Sequence, residues 1–146
     1  MICGYCFIPL LNTKTNIMST NSTITVRTAS NERKSIYCHW DGYPSYNGRV
    51  LLEHYNTLAK AKALVKPGFL SILNENITPP KGEIHTFDKP YNNVNIYYGR
   101  DRGEEDVECQ TLKNSESIDR QEYNYLFKDG KWFVDGKVLT LKMCED

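Results

Sequence analysis

The sequence predicts an α+β fold in which an antiparallel or mixed sheet is packed by one main helix. The chain has 146 residues, of which 40% are hydrophobic and 25% charged, and these values are typical of a single globular domain. Segments that alternate apolar and polar residues lie before and after one segment with helical periodicity. Ten tyrosines also favour a sheet with a recognition surface, because the ring packs while the hydroxyl meets a polar partner.

Residues 1–17 are expected to be a dispensable N-terminal extension, and residues 18–146 to form the single domain. Residues 1–11 are apolar, but they are too short to span a membrane and lack the positive flank of a signal peptide. Met18 stands directly before the polar stretch that leads into the first strand, so it marks an alternative start of the native chain. We therefore expect a cytoplasmic protein that does not bind membranes.

The cysteines predict neither a metal site nor a disulfide framework. Cys3 and Cys6 have the CxxC spacing, but only two residues precede them, so the strand that normally leads into a redox site is missing. The others match no zinc spacing, and the total of five is odd. These others are Cys38, Cys109 and Cys144. We expect no metal and no cofactor.

A β-hairpin is predicted near the start of the domain. Residues 23–28 and 36–41 alternate apolar and polar side chains on either side of a polar turn. Because successive side chains of a strand point to opposite faces, Trp40 is expected in the core and His39 and Asp41 together on the other face.

One helix is predicted from Arg49 to Lys66. Its apolar residues recur at helical spacing, and Pro67-Gly68 ends it. Residues 74–93 are rich in proline and asparagine and predict an irregular surface segment. Residues 94–98 alternate again and predict a strand.

Two Asp-Gly turns predict a three-stranded β-meander at the C-terminal end. Asp129-Gly130 and Asp135-Gly136 separate apolar runs at residues 123–127, 132–134 and 138–141. An Asp-Gly pair between such runs is the strongest short-range hairpin signal, because both residues tolerate positive φ.

The overall charge disfavours sequence-independent binding of nucleic acid. Eighteen basic and eighteen acidic side chains cancel, so the chain lacks the excess positive charge that attracts phosphate at long range.

The segment from His39 to Tyr46 is the densest group of chemically active residues. A histidine with a carboxylate two residues later can form a general base, so His39 and Asp41 are candidate catalytic residues. Tyr43 and Tyr46 are candidate partner-binding residues in the following loop. The alternative is that His39 is an ordinary strand residue and that Asp41 only orders the turn.

A second candidate site is the loop that contains Arg100, Asp101, Arg102 and Glu104. Flanking glycines allow such a loop to approach another surface closely, and its two guanidiniums can hold a phosphate or carboxylate. Internal salt bridges with the neighbouring carboxylates are the alternative. No Walker loop, GxSxG or HExxH motif occurs in the chain.

Four ordered motifs resemble a family of small hypothetical proteins encoded by bacteriophages and prophages. They are residues 36–44, the helix that follows, residues 98–104 and residues 122–127, and the resemblance covers residues 18 to about 134. Family members tend to begin near the residues corresponding to Ser19-Thr20. The resemblance implies a viral or mobile-element context in the cytoplasm of a host bacterium, and it implies no catalytic residues.

We therefore expect a non-enzymatic accessory protein that binds a host or defence component through the His39–Tyr46 and Arg100–Glu104 loops. This expectation is an analogy with other small viral accessory proteins, which commonly act in this way. The alternative is a small nucleotide- or phosphometabolite-binding protein or hydrolase. In that case His39 acts as the base, Asp41 orients it, and Arg100 or Arg102 holds a phosphate.

Overall fold

The computed structural model describes residues 19–145, in which eight strands form one mixed sheet. The order is β4-β3-β2-β1-β6-β7-β8, with β5 also paired to β2. The predicted α+β class with a mixed sheet is confirmed. The strands are β1 (Ser22–Ala29), β2 (Glu32–Cys38), β3 (Leu70–Ile72), β4 (Ile96–Tyr97), β5 (Gln110–Lys113), β6 (Tyr123–Lys128), β7 (Lys131–Val134) and β8 (Lys137–Val138). The predicted extension over residues 1–17 lies outside the described residues.

Strands β1 and β2 pair as an antiparallel hairpin at the centre of the sheet. Ile24 lies opposite Ile36, and both side chains are fully buried, as the alternation of residue types predicts. On its other edge β1 pairs in parallel with β6, where Ile24 lies beside Tyr125. A parallel pair requires a long crossover connection, and here that connection holds the helices, β3, β4 and β5.

The helical layer differs from the single helix that the sequence predicts over Arg49–Lys66. Helix α1 spans Arg49–His54 and helix α2 spans Leu58–Val65; a short α3 spans Tyr98–Arg102. The chain leaves the helix at Tyr55, whose backbone carbonyl accepts a hydrogen bond of 2.8 Å from the Trp132 indole N–H. The helix restarts after Thr57, which accepts from the Lys60 amide and caps α2. Both contacts depend on tertiary position or capping geometry that apolar spacing does not reveal.

Both Asp-Gly pairs near the C-terminus form left-handed turns. Asp129 and Gly130 have φ of 53° and 75°, and Asp135 and Gly136 have φ of 48° and 86°. Strand β6 pairs antiparallel with β7, and β7 with β8. Aspartate and glycine tolerate these angles better than other residues, so the turns follow from local sequence.

The core combines buried side chains of the sheet with those of α1 and α2, such as Leu51 and Leu64. Its largest fully buried side chains include Trp132, Tyr97, Tyr125 and Phe127. The segment over residues 114–121 lies against the opposite side of the sheet, where the Arg33 guanidinium donates to its backbone carbonyls and a cavity of about 200 Å³ remains beneath it. The same segment reaches Tyr37 and Phe69, which line a second cavity of about 360 Å³ together with Ser117 and Ile118.

Within residues 19–145 no helix combines the length and the apolar character needed to cross a membrane.

Candidate functional site

Five half-buried aromatic side chains lie around the C-terminal end of β2. We call this surface the aromatic patch, and it consists of Tyr37, His39, Trp40, Phe69 and Tyr98. The ring centroids of Tyr37 lie 5.9 Å from His39 and 6.0 Å from Phe69. The edge-on contact of His39 with Trp40 spans 4.8 Å. Rings at these separations support one another, and Tyr98 lies beside them through the hydrogen bond of its amide to the Phe69 carbonyl.

The pairing of β2 with β3 brings the patch together. Cys38 lies opposite Leu70 in a parallel pair, and both side chains face the core. Because side chains alternate along strands, Tyr37 and Phe69 face the opposite side together. The His39 amide donates to the Leu70 carbonyl (3.0 Å) and continues the alignment past the end of β2.

His39 is held as a neutral imidazole with a defined tautomer. The Tyr37 hydroxyl lies 2.7 Å from Nδ1, and the Asn21 amide nitrogen, which can only donate, lies 3.5 Å from the same atom. Nδ1 is therefore the acceptor and Nε2 carries the proton. Burial lowers the pKa of His39 below its ordinary 6.5, which favours the neutral form. The patch thus presents a neutral N–H donor.

The pairing of His39 with Asp41, expected for a general base, is not present among the described residues. Asp41 adopts a left-handed backbone with φ of 59° and accepts a 2.9 Å hydrogen bond from the Tyr43 hydroxyl. Strand β2 ends at Cys38, so the alternation that puts His39 and Asp41 on one face does not reach Asp41. For the same reason Trp40, expected in the core, is only half-buried.

The turn after the patch is held rigidly by backbone contacts. The Gly42 amide donates to the Thr20 carbonyl at 2.8 Å, and the Tyr125 hydroxyl donates to the Gly42 carbonyl at 2.6 Å. A Cβ at Gly42 would lie 2.9 Å from backbone atoms of Thr20 and Asn21, so only glycine fits without a shift. A surface fixed in this way loses little entropy when it binds.

The two candidate tyrosines of this loop differ in position. Tyr43 is 37% exposed, and its hydroxyl donates to the Asp41 carboxylate. Tyr46 is half-buried; its hydroxyl donates to Asn74 Oδ1 at 2.7 Å, and burial raises its pKa. Tyr46 therefore anchors the loop, while Tyr43 extends from it.

Arg100 is committed to internal contacts. Its Nε and Nη2 donate to the two carboxylate oxygens of Asp101 at 2.8 and 3.0 Å. Nη1 donates to the Ile77 carbonyl at 2.6 Å and Nη2 to the Asn95 carbonyl at 3.0 Å, and the guanidinium lies 4.7 Å from the Tyr97 ring centroid. This arginine joins α3 to the irregular segment over residues 74–93.

Asp101 and His85 form a buried pair beneath Arg100. Their side chains are 4% and 3% exposed, and His85 Nε2 lies 3.4 Å from Asp101 Oδ2. His85 Nδ1 accepts from the Tyr91 amide, so Nε2 carries the proton and donates to the Asn95 carbonyl. Asp101 also accepts from the Tyr97 amide, and this saturation of its oxygens indicates a structural role.

The segment that was expected to be a loop is largely the short helix α3, which ends at Arg102, and Glu104 follows it. Arg102 Nε lies 3.2 Å from the Glu104 carboxylate, and its guanidinium is 4.7 Å from the Phe87 ring centroid. Both side chains are well exposed. Of the two arginines, only Arg102 lies where a partner can displace its ion pair.

The structure brings the two candidate loops to opposite sides of β3. The His39 amide bonds to Leu70 and the Tyr98 amide bonds to the adjacent Phe69 carbonyl. Two strand spacings correspond to about 10 Å, so the loops border one surface, with Phe69 between them.

Sequence reasoning missed Tyr37, Phe69 and Tyr98 as members of this surface. The alternation in β2 contained a signal, because Tyr37 occupies the side opposite Ile36 and Cys38. Nothing local indicates that Phe69 and Tyr98 lie beside it. Among residues 19–145 no group of histidine, cysteine and acidic residues is arranged to hold a metal ion, and burial raises the pKa of the Cys38 thiol to about 12, so this cysteine is a poor nucleophile.

No protein-family model, curated protein or solved structure matches this chain.

Proposed function

We propose that the protein is a non-enzymatic accessory protein that binds a host or defence protein through the aromatic patch and the His39–Tyr46 loop. The phage or prophage setting of this proposal rests on the sequence motifs described above. The Arg100–Glu104 loop borders the contact surface and contributes Arg102 and Glu104 at its rim.

The observation that carries the proposal is a set of half-exposed aromatic rings on a rigid backbone. Tryptophan and tyrosine are enriched among the residues that dominate protein interfaces, because they bury a large area at a low cost in conformational entropy. Here Trp40 and Tyr37 pack against His39, and the next turn is held by the hydrogen bonds of Gly42.

The neutral His39 adds directional specificity to the patch. Its Nε2–H has no hydrogen-bond partner among the described residues, so a partner that places a carbonyl or carboxylate oxygen there gains a hydrogen bond. A partner without such an acceptor leaves a desolvated donor, which costs about 1–3 kcal/mol.

The proposal includes the frame behind the patch. Strands β6, β7 and β8 act as a C-terminal three-stranded meander, and the helical segment over residues 49–65 packs the opposite side of the sheet. The indole N–H of Trp132 joins these two parts at the Tyr55 carbonyl.

The test is quantitative recovery of host proteins on immobilised full-length chain and matched variants. Tyr43 and Tyr91 are 37% and 36% exposed, so Tyr43→Ala removes a ring from the proposed face and Tyr91→Ala removes an equally exposed ring elsewhere. Phe69→Ala and Phe133→Ala form a second matched pair, since both rings are half-buried on the same side of the sheet.

We expect a specific partner to be retained by Tyr91→Ala and Phe133→Ala and weakened at least about tenfold by Tyr43→Ala and Phe69→Ala, as for a hot-spot residue. Melting temperatures of all four variants check that the fold is kept. Equal recovery of the same proteins by every variant would refute the proposed face.

The nucleotide- or phosphometabolite-binding alternative predicts that such a ligand binds at His39 and Arg100. The guanidinium of Arg100 already bonds Asp101 and two carbonyls, and His39 bonds Tyr37. We therefore expect no thermal shift with nucleotides, cyclic dinucleotides or phosphometabolites that depends on His39 or Arg100. A shift that His39→Ala or Arg100→Ala abolishes would bring the enzymatic alternative to the front.

A further inference from the structure

A second surface feature is a cavity of about 540 Å³ on the helical side of the sheet. It lies between the last turn of α2, the first half of β2 and the chain just before β5. Its lining includes Thr28, Lys34, Lys62, Val65, Lys66 and Cys109. A cavity of this size falls in the range of small-molecule sites. The aromatic ring of Tyr37 lies on the opposite side of the sheet, because Lys34 and Tyr37 are three residues apart on β2 and their side chains point to opposite faces.

The floor of the cavity is apolar. Val65 is 1% exposed, and Ala63 and the methyl group of Thr28 border the same space. Burial raises the pKa of the half-buried Cys109 thiol, against the opposing effect of Lys34, so this side chain is a neutral, weakly polar part of the wall.

Three ammonium groups surround this apolar floor. Lys62 and Lys66 are four residues apart and share a helix face, where like charges destabilise the helix by a few tenths of a kcal/mol, about 0.2–0.5. Neither side-chain ammonium group has an ion-pair or hydrogen-bond partner among residues 19–145. Lys34 is fixed by a 2.6 Å hydrogen bond from its Nζ to Thr111 Oγ1.

The carboxylates of the cavity do not neutralise these lysines. Glu32 accepts from Lys113 and Thr28, and these contacts, with a smaller effect of Lys34, lower its pKa to about 2; it is ionised and paired mainly with Lys113, outside the cavity. Glu108, an exposed lining residue, is the one other acidic group. The positive charges therefore exceed the free negative charge.

We infer that this cavity binds a small amphiphilic anion, with its apolar body on Val65 and Cys109 and its carboxylate or phosphate group between Lys34, Lys62 and Lys66. The apolar body supplies binding energy through buried area, and the ammonium groups supply selectivity for a negative head. The last-turn lysines also offset the dipole of α2, so stability and ligand binding must be measured separately.

The experiment is an amide NMR titration of the full chain with octanoate and with octanol, its uncharged analogue. Octanoate is expected to shift the amides of residues 62–66 and 108–109, and to bind about tenfold more tightly than octanol. Lys62→Gln with Lys66→Gln should weaken octanoate about tenfold and leave octanol unchanged. The matched control, Lys60→Gln with Lys137→Gln, removes two positive charges away from the cavity and should bind octanoate as the wild type does.

Three outcomes would overturn the inference: no saturable shift at millimolar octanoate, equal affinity for octanol, or equal weakening by the control variant. Added salt should weaken octanoate and spare octanol, because screening acts only on the charged head. Thermal unfolding of both double variants without ligand shows whether the substitutions weaken octanoate binding directly or destabilise the C-terminal end of α2.

Discussion

The hydroxyl of Tyr125 links the core to the turn beside the aromatic patch, and Tyr125→Phe tests that link. The side chain is 1% exposed, and its hydroxyl donates a 2.6 Å hydrogen bond to the Gly42 carbonyl. Burial raises the pKa of Tyr125 well above its ordinary 10, so the group stays protonated and remains a donor. Phenylalanine keeps the ring packing and removes only this hydrogen bond.

The expected loss follows from the Gly42 carbonyl that is left without its donor. Gly42 is buried, and an unsatisfied buried acceptor costs about 1–3 kcal/mol. For a chain of this length, a loss of about 1–3 kcal/mol lowers the melting temperature by roughly 3–10 °C. The freed turn also presents Tyr43 less rigidly, so affinity for the proposed partner should fall as well.

Urea and thermal unfolding of wild type, Tyr125→Phe and Tyr123→Phe measure this effect. Tyr123 is the matched control, because it faces the same side of β6 and its hydroxyl has no hydrogen-bond partner among the described residues. We expect Tyr123→Phe to change the free energy of unfolding by less than about 0.5 kcal/mol. The reasoning fails if Tyr125→Phe is equally neutral.

Three further predictions concern the same region. Gly42→Ala should destabilise the fold, because its Cβ would meet backbone atoms at 2.9 Å. In Gly99→Ala, which lies in a helix, the Cβ meets only ordinary contacts from 3.4 Å, so this variant should be neutral or slightly stabilising. The melting temperatures of the two variants test this difference. Burial lowers the pKa of His39, so on acidification the unfolded chain takes up its proton before the folded chain does. The stability that this residue contributes is therefore complete above about pH 6.5 and is lost as the pH falls toward the folded-state pKa. Urea unfolding at several pH values should show that His39→Gln loses less stability on acidification than the wild type. Arg100→Lys should cost about 1.5–3 kcal/mol because it breaks charged hydrogen bonds, and Arg102→Lys less than about 0.5 kcal/mol; equal effects in chemical denaturation would contradict their assigned roles.

Local sequence was sufficient where the structure depends on neighbouring residues. The alternation through Ile36 and Cys38 identifies the core side of β2, because a strand turns its side chains with period two. The Asp129-Gly130 and Asp135-Gly136 pairs identify left-handed turns, because few other residues adopt positive φ at low cost. These signals require no knowledge of the rest of the chain.

The roles of the site residues required the tertiary structure. Arg100 and Arg102 occur two positions apart in similar surroundings in the sequence. The structure directs Arg100 onto Asp101 and the backbone of residues 77 and 95, and it leaves Arg102 at the surface. His39 and Asp41 were expected together, but the end of β2 at Cys38 separates them.

The sequence by itself determined the α+β class, the β1–β2 hairpin and the two C-terminal turns, since each depends on side-chain periodicity or on the φ preference of one or two residues. The segment after β2 was expected to be a loop, but it contains a π-helix over Pro44–Gly48. Only the tertiary structure decided that β1 pairs in parallel with β6, that the Tyr55 carbonyl ends α1 at the Trp132 indole, and that Phe69 completes the aromatic patch beside Tyr37. Each of these contacts joins residues far apart in the chain, and their positions are set by the packing of the whole core, which no short stretch of sequence specifies.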